Sequence, residues 1–271
     1  MSAVIEVNGL QKRYGSRAAL QGISFCVHKG EIFGLLGANG AGKTTALACM
    51  EGLLARDGGS IAVRGRMGVQ LQSAALPEHI RAMEAVRLFA GWKRAAVDGA
   101  TLEALGIHEI ARKQYRTLST GQKRRLHLAI ALLGNPEILF LDEPAAGLDV
   151  EGRSALHALI RALRQQGKTI ILASHDMAEV EELCDRIAIL RAGRIAFLGT
   201  VRELTAKLGK HYNIVVQSAR GSERFETDDI ETALPKLLAR YREAGVPIAD
   251  LQVNRGTLEQ HFLQIAGGDF A

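Results

Sequence analysis

The residues in this 271-residue chain best placed to do chemistry are Gly37-Ala38-Asn39-Gly40-Ala41-Gly42-Lys43-Thr44-Thr45. They satisfy G-x-x-x-x-G-K-[ST], the pattern of a loop that cradles phosphate. Glycines let the backbone curl with its N–H groups turned inward. A helix beginning at the loop adds unpaired N–H groups and the positive end of its dipole, so a phosphate settles there. Lys43 is expected to reach β- and γ-phosphates, and Thr44 to place its hydroxyl on Mg²⁺. A second group is Asp142-Glu143, two carboxylates at the end of the apolar run Ile138-Leu139-Phe140-Leu141. Beside a phosphate loop such oxygens are expected to serve a hard cation. A third is His175, at the end of the run Thr169–Ala173. Alone it reads as a structural histidine; at the end of a core strand it becomes a functional candidate.

These groups need a scaffold that brings strand ends together. Ile32-Phe33-Gly34-Leu35-Leu36 precedes the phosphate loop and Ala46-Leu47-Ala48-Cys49-Met50 follows it, which reads as strand, loop and helix, the helix running to about Leu54. The apolar runs at 138–141 and 169–173 suit strands buried on both faces of a parallel sheet, with ligands at their C-terminal ends. Residues 4–7 and 20–27 alternate as strands. Ser60–Val63 and Met67–Leu71 read as two short strands, with Arg64-Gly65 as a tight hairpin turn. Helical spacing governs Pro77 to about Ala96, and short helices are expected at 100–106 and 107–115. In Leu118-Ser119-Thr120-Gly121-Gln122, Ser119 is suited to cap a helix running to Leu133. The segment 73–135 is therefore a helical insert between β-rich flanks. Helices are also expected near 151–165 and at 177–183, and strands at 186–190 and 194–198 around an Ala192-Gly193 turn. After about 205 a small α/β module follows: strand 212–217, helix 228–244, strand 248–253, and a capping box at Thr257–Gln260.

Composition sets limits. The formal net charge is +5, and aromatic residues are only 5% of the chain, which argues against a base-stacking platform. Cys26, Cys49 and Cys184 lie far apart and read as reduced core thiols in a cytoplasmic protein. The start, Met-Ser-Ala-Val-Ile-Glu, lacks the basic and long apolar regions of a signal peptide. The greasiest region, Leu126 to Leu141, is broken by His127, Asn135, Pro136 and Glu137, so the chain is not expected to span a bilayer.

Together the motifs over residues 4–205 resemble the ATP-binding subunits of ABC transporters. Leu118–Gln122 resembles that family's L-S-G-G-Q signature, with Thr120 in place of the first glycine. Ile138–Pro144 resembles the Walker B strand, Ala146–Asp149 the D-loop, His175 the switch histidine and Tyr14 the A-loop aromatic that stacks on adenine. Gln72 is similar to the Q-loop glutamine, with Gln70 the competing register. The resemblance implies an α/β P-loop ATPase core (1–205) with an antiparallel β subdomain and a helical insert, plus an accessory module (206–271). It implies that ATP lies between the phosphate loop of one subunit and Ser119, Thr120, Gly121, Gln122 and Asp149 of a second, a copy or close relative. It implies Thr44, Gln72 and Asp142 around Mg²⁺, Glu143 as general base, and Lys43, Gln72 and His175 in the chemistry.

The insert would dock a separate membrane-spanning permease, with Leu88, Phe89 and Trp92 as candidate contacts. That would place the chain on the cytoplasmic face of the plasma membrane. The ending Thr257-Leu258-Glu259-Gln260-His261-Phe262 is similar to that of drug-export ATPases. Relatives usually carry a longer connection between the positions of Val63 and Met67 than the Arg64-Gly65-Arg66 present here. A soluble ABC ATPase acting on nucleic acid or ribosomes is the second class, and a stand-alone P-loop kinase or GTPase a third. No specific nucleic-acid partner is expected.

Overall fold

A computed structural model describes residues 2–70, 76–207, 212–218 and 221–255. The chain divides into two units, residues 1–198 and 199–271.

The first unit begins with β1 (Ala3–Tyr14) and β2 (Arg17–His28), an antiparallel pair closed at Gly15-Ser16. Both are longer than the alternation at 4–7 and 20–27 predicts. Register shifts near Val7, Leu10 and Lys12 break the period of two, so the polar ends do not read as strand. Next come β3 (Ile32–Leu36) and α1 (Lys43–Met50). The helix stops short of Leu54, because Glu51 caps it and Gly52 turns at φ +75°. β4 (Gly58–Val63) pairs with β1. β5 (Met67–Gln70) pairs instead with β6 (Ile138–Asp142), parallel.

The expected hairpin at Arg64-Gly65 is therefore wrong. The Arg64 N–H donates to Val4 O in one sheet, while Arg66 O accepts from Ile138 N in the other. Gly68 suits β5 to its place. A Cβ there would collide with the Ala131 carbonyl oxygen, so only glycine lets the following helical layer approach so closely.

The helical insert comprises α2 (Ala82–Trp92), α3 (Gly99–Ala104), α4 (Ile107–Ile110), a 3₁₀ turn at Tyr115–Thr117 and α5 (Thr120–Leu132). After β6 come α6 (Val150–Gln165), β7 (Thr169–Ser174), α7 (Met177–Leu183), β8 (Arg186–Arg191) and β9 (Arg194–Gly199). The second sheet has the order β5-β6-β7-β3-β8-β9. Its neighbours from β5 to β8 run parallel. Successive side chains feed two cores. Leu139 and Leu141 face the insert and α6, while Ile138 and Phe140 face α1 and the antiparallel sheet. Burial on both faces accounts for unbroken apolar runs in place of alternation. Parallel pairing also puts the C-terminal ends of β3, β6 and β7 at one edge, where the chemistry-bearing residues emerge.

The second unit holds α8 (Val201–Lys207), β10 (Tyr212–Ser218), β11 (Gly221–Thr227), α9 (Ile230–Glu243) and β12 (Ile248–Arg255). Its antiparallel sheet has the order β11-β10-β12, and Ile214 and Val216 pack with Leu237 and Tyr241 of α9. Sequence reasoning missed β11, whose Ser222-Glu223-Arg224-Phe225-Glu226 carries a single large apolar residue. The capping box at Thr257–Gln260 and the ending to Phe262 lie outside the described residues, as does Gln72.

Candidate nucleotide site

The phosphate loop joins β3 to α1. Gly42 adopts φ +110°, and a Cβ there would lie 2.8 Å from the Ala19 carbonyl oxygen, so the loop requires glycine for both conformation and space. Ala38, Asn39, Gly40, Thr44 and Thr45 line a cavity of about 420 Å³. Gly37 and Ala41 support it from below: Ala41 is buried in the core, and Gly37 O accepts from Lys43 Nζ at 2.7 Å.

Lys43 is buried and also lies 3.4 Å from Glu143 Oε1. Glu143 follows the last residue of β6 and holds a left-handed backbone, φ +48°, rare for a side chain of this kind. Its amide donates to Ala173 O at 2.9 Å, which fixes the turn against β7. Its other carboxylate oxygen lies 2.7 Å from His175 Nδ1. Lys43, Glu143 and His175 thus converge from three different strand ends, with Glu143 buried between a cation and an imidazole that is half open to solvent.

Asp142 sits beside them, 3% exposed. Its carboxyl is pushed above the usual range chiefly by burial and further by the charge of Glu143, while the Thr44 hydroxyl bonded to it and Lys43 pull it down. Its Oδ1 is buried without a hydrogen-bond partner. Below lies Glu51, whose carboxyl is raised to about 7 by burial and then by Asp142. A concentration of buried carboxylate with one orphaned oxygen, next to a threonine hydroxyl, has the donor chemistry of a hard divalent cation. Mg²⁺ takes few protein ligands and completes its shell with phosphate and water, which this small donor set fits.

Tyr14 stands at the mouth of the same cavity, half exposed. Opposite it in register is Arg17, which sequence reasoning missed. Directly paired residues project to the same side of a sheet, and Arg17 Nη2 reaches Gly40 O at 3.4 Å across the loop. The available signal was its place three residues after Tyr14, across a two-residue turn. Gln70, the alternative Q-loop residue, is 2% exposed at the end of β5, and neither amide atom has a partner.

Ser119 caps α5 as expected. Its Oγ accepts from Gln122 N at 3.3 Å, and Gln122 Oε1 accepts from Ser119 N at 3.2 Å. Asp149 caps α6 through Gly152 N at 2.8 Å. Thr120, where the signature pattern has glycine, sets its methyl against Gly147. Ser119, Gly121, Gln122 and Asp149 line a separate cavity of about 410 Å³, which shares no residue with the phosphate-loop cavity. One chain therefore brings Lys43, Thr44, Asp142, Glu143 and His175 together and leaves Ser119–Gln122 and Asp149 apart from them.

Comparison with known proteins shows the family. A family model described as ABC transporter matches residues 20–146. The chain is 35% identical to the daunorubicin resistance ATP-binding protein DrrA3 of Streptomyces coeruleorubidus, over 98% of this chain and 96% of that protein. It is 32% identical to the linearmycin resistance ATP-binding protein LnrL of Bacillus subtilis, over 97% and 98%. A solved ATP-binding subunit of an ABC transporter superposes with a TM-score of 0.68 at 26% identity, covering 76% of this chain and 93% of that one. The chain therefore belongs to the ATP-binding subunits of ABC transporters, the ATPases that drive them.

Proposed function

We propose that this subunit powers export of a small molecule through a separate membrane-spanning permease, by closing on ATP with a second ATPase subunit and opening after hydrolysis. The observation that carries the reading is the convergence of Lys43, Glu143 and His175 beside Asp142 and Thr44, with the signature facing elsewhere. A site so divided is complete only when another subunit presents its own Ser119–Gln122 and Asp149. The amides at the start of α5 would then meet the γ-phosphate, as a helix N-terminus favours.

In this reading Lys43 leaves Glu143 and Gly37 O to neutralise the β- and γ-phosphates, and Tyr14 stacks on adenine. Thr44 and Asp142, with Gln72, hold Mg²⁺, which neutralises charge developing on the phosphate oxygens. Glu143 takes a proton from the attacking water, and His175 contacts the γ-phosphate. Water adds to the γ-phosphorus as its bond to the ADP oxygen breaks, so catalysis consists of positioning and electrostatic stabilisation. Arg17 adds a positive charge over the phosphates. Arg17→Ala is expected to weaken ATP binding about fivefold, the effect of a charged contact open to solvent screening. Adenosine binding should not change; titration calorimetry that finds equal losses for both ligands removes Arg17 from phosphate recognition.

Export is supported by the resistance functions named in the two relatives. No helix among the described residues is long and apolar enough to cross a membrane, so the reading assigns passage to the permease and this subunit to the cytoplasmic face of the plasma membrane. In α2, Trp92 is 80% exposed and Leu88 59%, one helical turn apart. We assign them to the permease contact. The test is recovery of the membrane partner by the tagged subunit from detergent extracts. Trp92→Ala should reduce it about tenfold, the loss expected of an aromatic anchor, with ATP binding intact. Recovery equal to wild type would remove Trp92 from the contact, and failure of the wild-type chain to retain any membrane protein would sink the transporter reading.

A further inference from the structure

Behind the site lies a group of buried titratable side chains that the chemistry above does not use. His157 of α6 and Glu179 of α7 are each 2% exposed. His157 Nδ1 is 2.8 Å from Glu182 Oε2. The other ring nitrogen, Nε2, is 3.6 Å from Glu179 Oε1, and neither of these two atoms has a hydrogen-bond partner. Glu179 Oε2 accepts from Ser174 Oγ at 2.6 Å, and Ser174 Oγ accepts from Asp176 N at 3.0 Å. The chain of contacts ends on the two residues that flank His175. At its other end is α6, the helix that Asp149 caps.

The protons can be followed. The Glu182 carboxylate also accepts from Arg161 Nη2 at 2.5 Å, and its Oε2 accepts from His157 Nδ1–H. His157 Nε2 then offers Glu179 Oε1 either a lone pair or an N–H. With no proton between them, two lone pairs oppose each other in a water-poor interior, an arrangement that costs free energy. With one proton between them, an approach of about 0.7–0.9 Å from 3.6 Å makes a charge-assisted hydrogen bond. Burial is the main cause that raises the Glu179 carboxyl; the Ser174 hydroxyl and His157 oppose it, and the charges of Asp176 and Glu143 add to it. Arg153, paired with Asp176 at 2.6 Å, and the Cys184 thiol, pushed up by burial and then by the charges of Glu179 and Asp185, are the remaining titratable groups around this network.

We propose that His157 and Glu179 share one proton, and that the contact it makes ties α6 to the backbone around His175 and so positions His175 against Glu143. His157, Glu179 and Ser174 are positioning residues; none touches the nucleotide. The inference rests on the role proposed above for His175. It makes turnover fall as pH rises and the shared proton leaves, with ATP affinity unchanged.

Two substitutions in the full-length chain separate the effects. In Glu179→Gln the amide oxygen still accepts from Ser174, and its N–H donates to His157 Nε2 at every pH. The alkaline fall in kcat expected of the wild type should therefore vanish. His157→Phe keeps an aromatic ring there and loses the contact, so kcat should drop about tenfold at all pH values, with KM for ATP within twofold. Glu143 and His175 are the same in all three proteins, so the comparison isolates the shared proton. A Glu179→Gln profile that superimposes on wild type overturns the proposal. Long-range ¹H–¹⁵N NMR of the histidine-labelled chain reads the proton without any turnover. His157 should show Nδ1 protonated throughout and Nε2 titrating, with that titration lost in Glu179→Gln. An unprotonated Nδ1, or an unaltered titration in the variant, overturns the proposal even if His157→Phe does not fold. A wild-type chain that fails to hydrolyse ATP counts against the proposed function instead, and the NMR result then decides the proton.

Discussion

Glu143→Gln should lower ATP hydrolysis by a factor of about a hundred to ten thousand, the span of general-base contributions, while ATP affinity holds or rises. The substitution keeps the volume of the buried side chain and the left-handed turn that β7 fixes through Ala173 O. What changes is basicity and charge. A side-chain amide cannot take a proton from water, and Lys43 loses the carboxylate 3.4 Å from its ammonium. That lysine is then freer for phosphate, and one negative charge beside the γ-phosphate is gone. Both effects favour binding, so the loss must appear in kcat alone. Steady-state hydrolysis and equilibrium binding of ATP, measured on the same preparation, check this. Hydrolysis within threefold of wild type would sink the assignment of Glu143 as base, and would turn attention to His175, which shares its carboxylate at 2.7 Å.

Ser119→Arg should abolish turnover, by about a hundredfold or more, and leave ATP binding by the isolated chain unchanged. Within one chain Ser119 lines a cavity separate from that of Lys43 and Glu143. Losing the cap to Gln122 N costs about 1 kcal/mol, a small part of the stability of a typical domain at about 5–15 kcal/mol, so the fold should persist. If two copies of this chain form the working pair, mixing restores activity in a specific way. A pair made of one Ser119→Arg chain and one Glu143→Gln chain has one site with both lesions and one with neither. With random pairing, half the pairs are mixed and each has one working site, so about a quarter of wild-type activity returns. Hydrolysis by Ser119→Arg alone at the wild-type rate rules out a site shared between subunits.

Much of the first unit was legible in the residues. The unbroken apolar runs of β6 and β7 suited strands buried on both faces of a parallel sheet, and the cap at Ser119 states its helix locally. The β4–β5 connection was not legible. Two short strands separated by three residues look alike whether they pair with each other or enter different sheets. The partners that decide, Ile5–Asn8 for β4 and Ile138–Leu141 for β5, are distant in sequence. β11 was hidden for a related reason: it pairs through backbone with β10 and packs a single large side chain, Phe225, against the core.

By itself the sequence determined the parts: a phosphate loop, two carboxylates and a histidine at strand ends, and a signature helix with its cap. Their chemistry is local, because residue type and spacing of a few positions settle a turn or a cap. Only the tertiary structure decided which parts meet. It folded Lys43 back onto Glu143, orphaned an oxygen of Asp142 and buried His157 against Glu179. Those contacts join positions up to about a hundred residues apart, and such approaches follow from sheet order and helix packing, which no local pattern encodes.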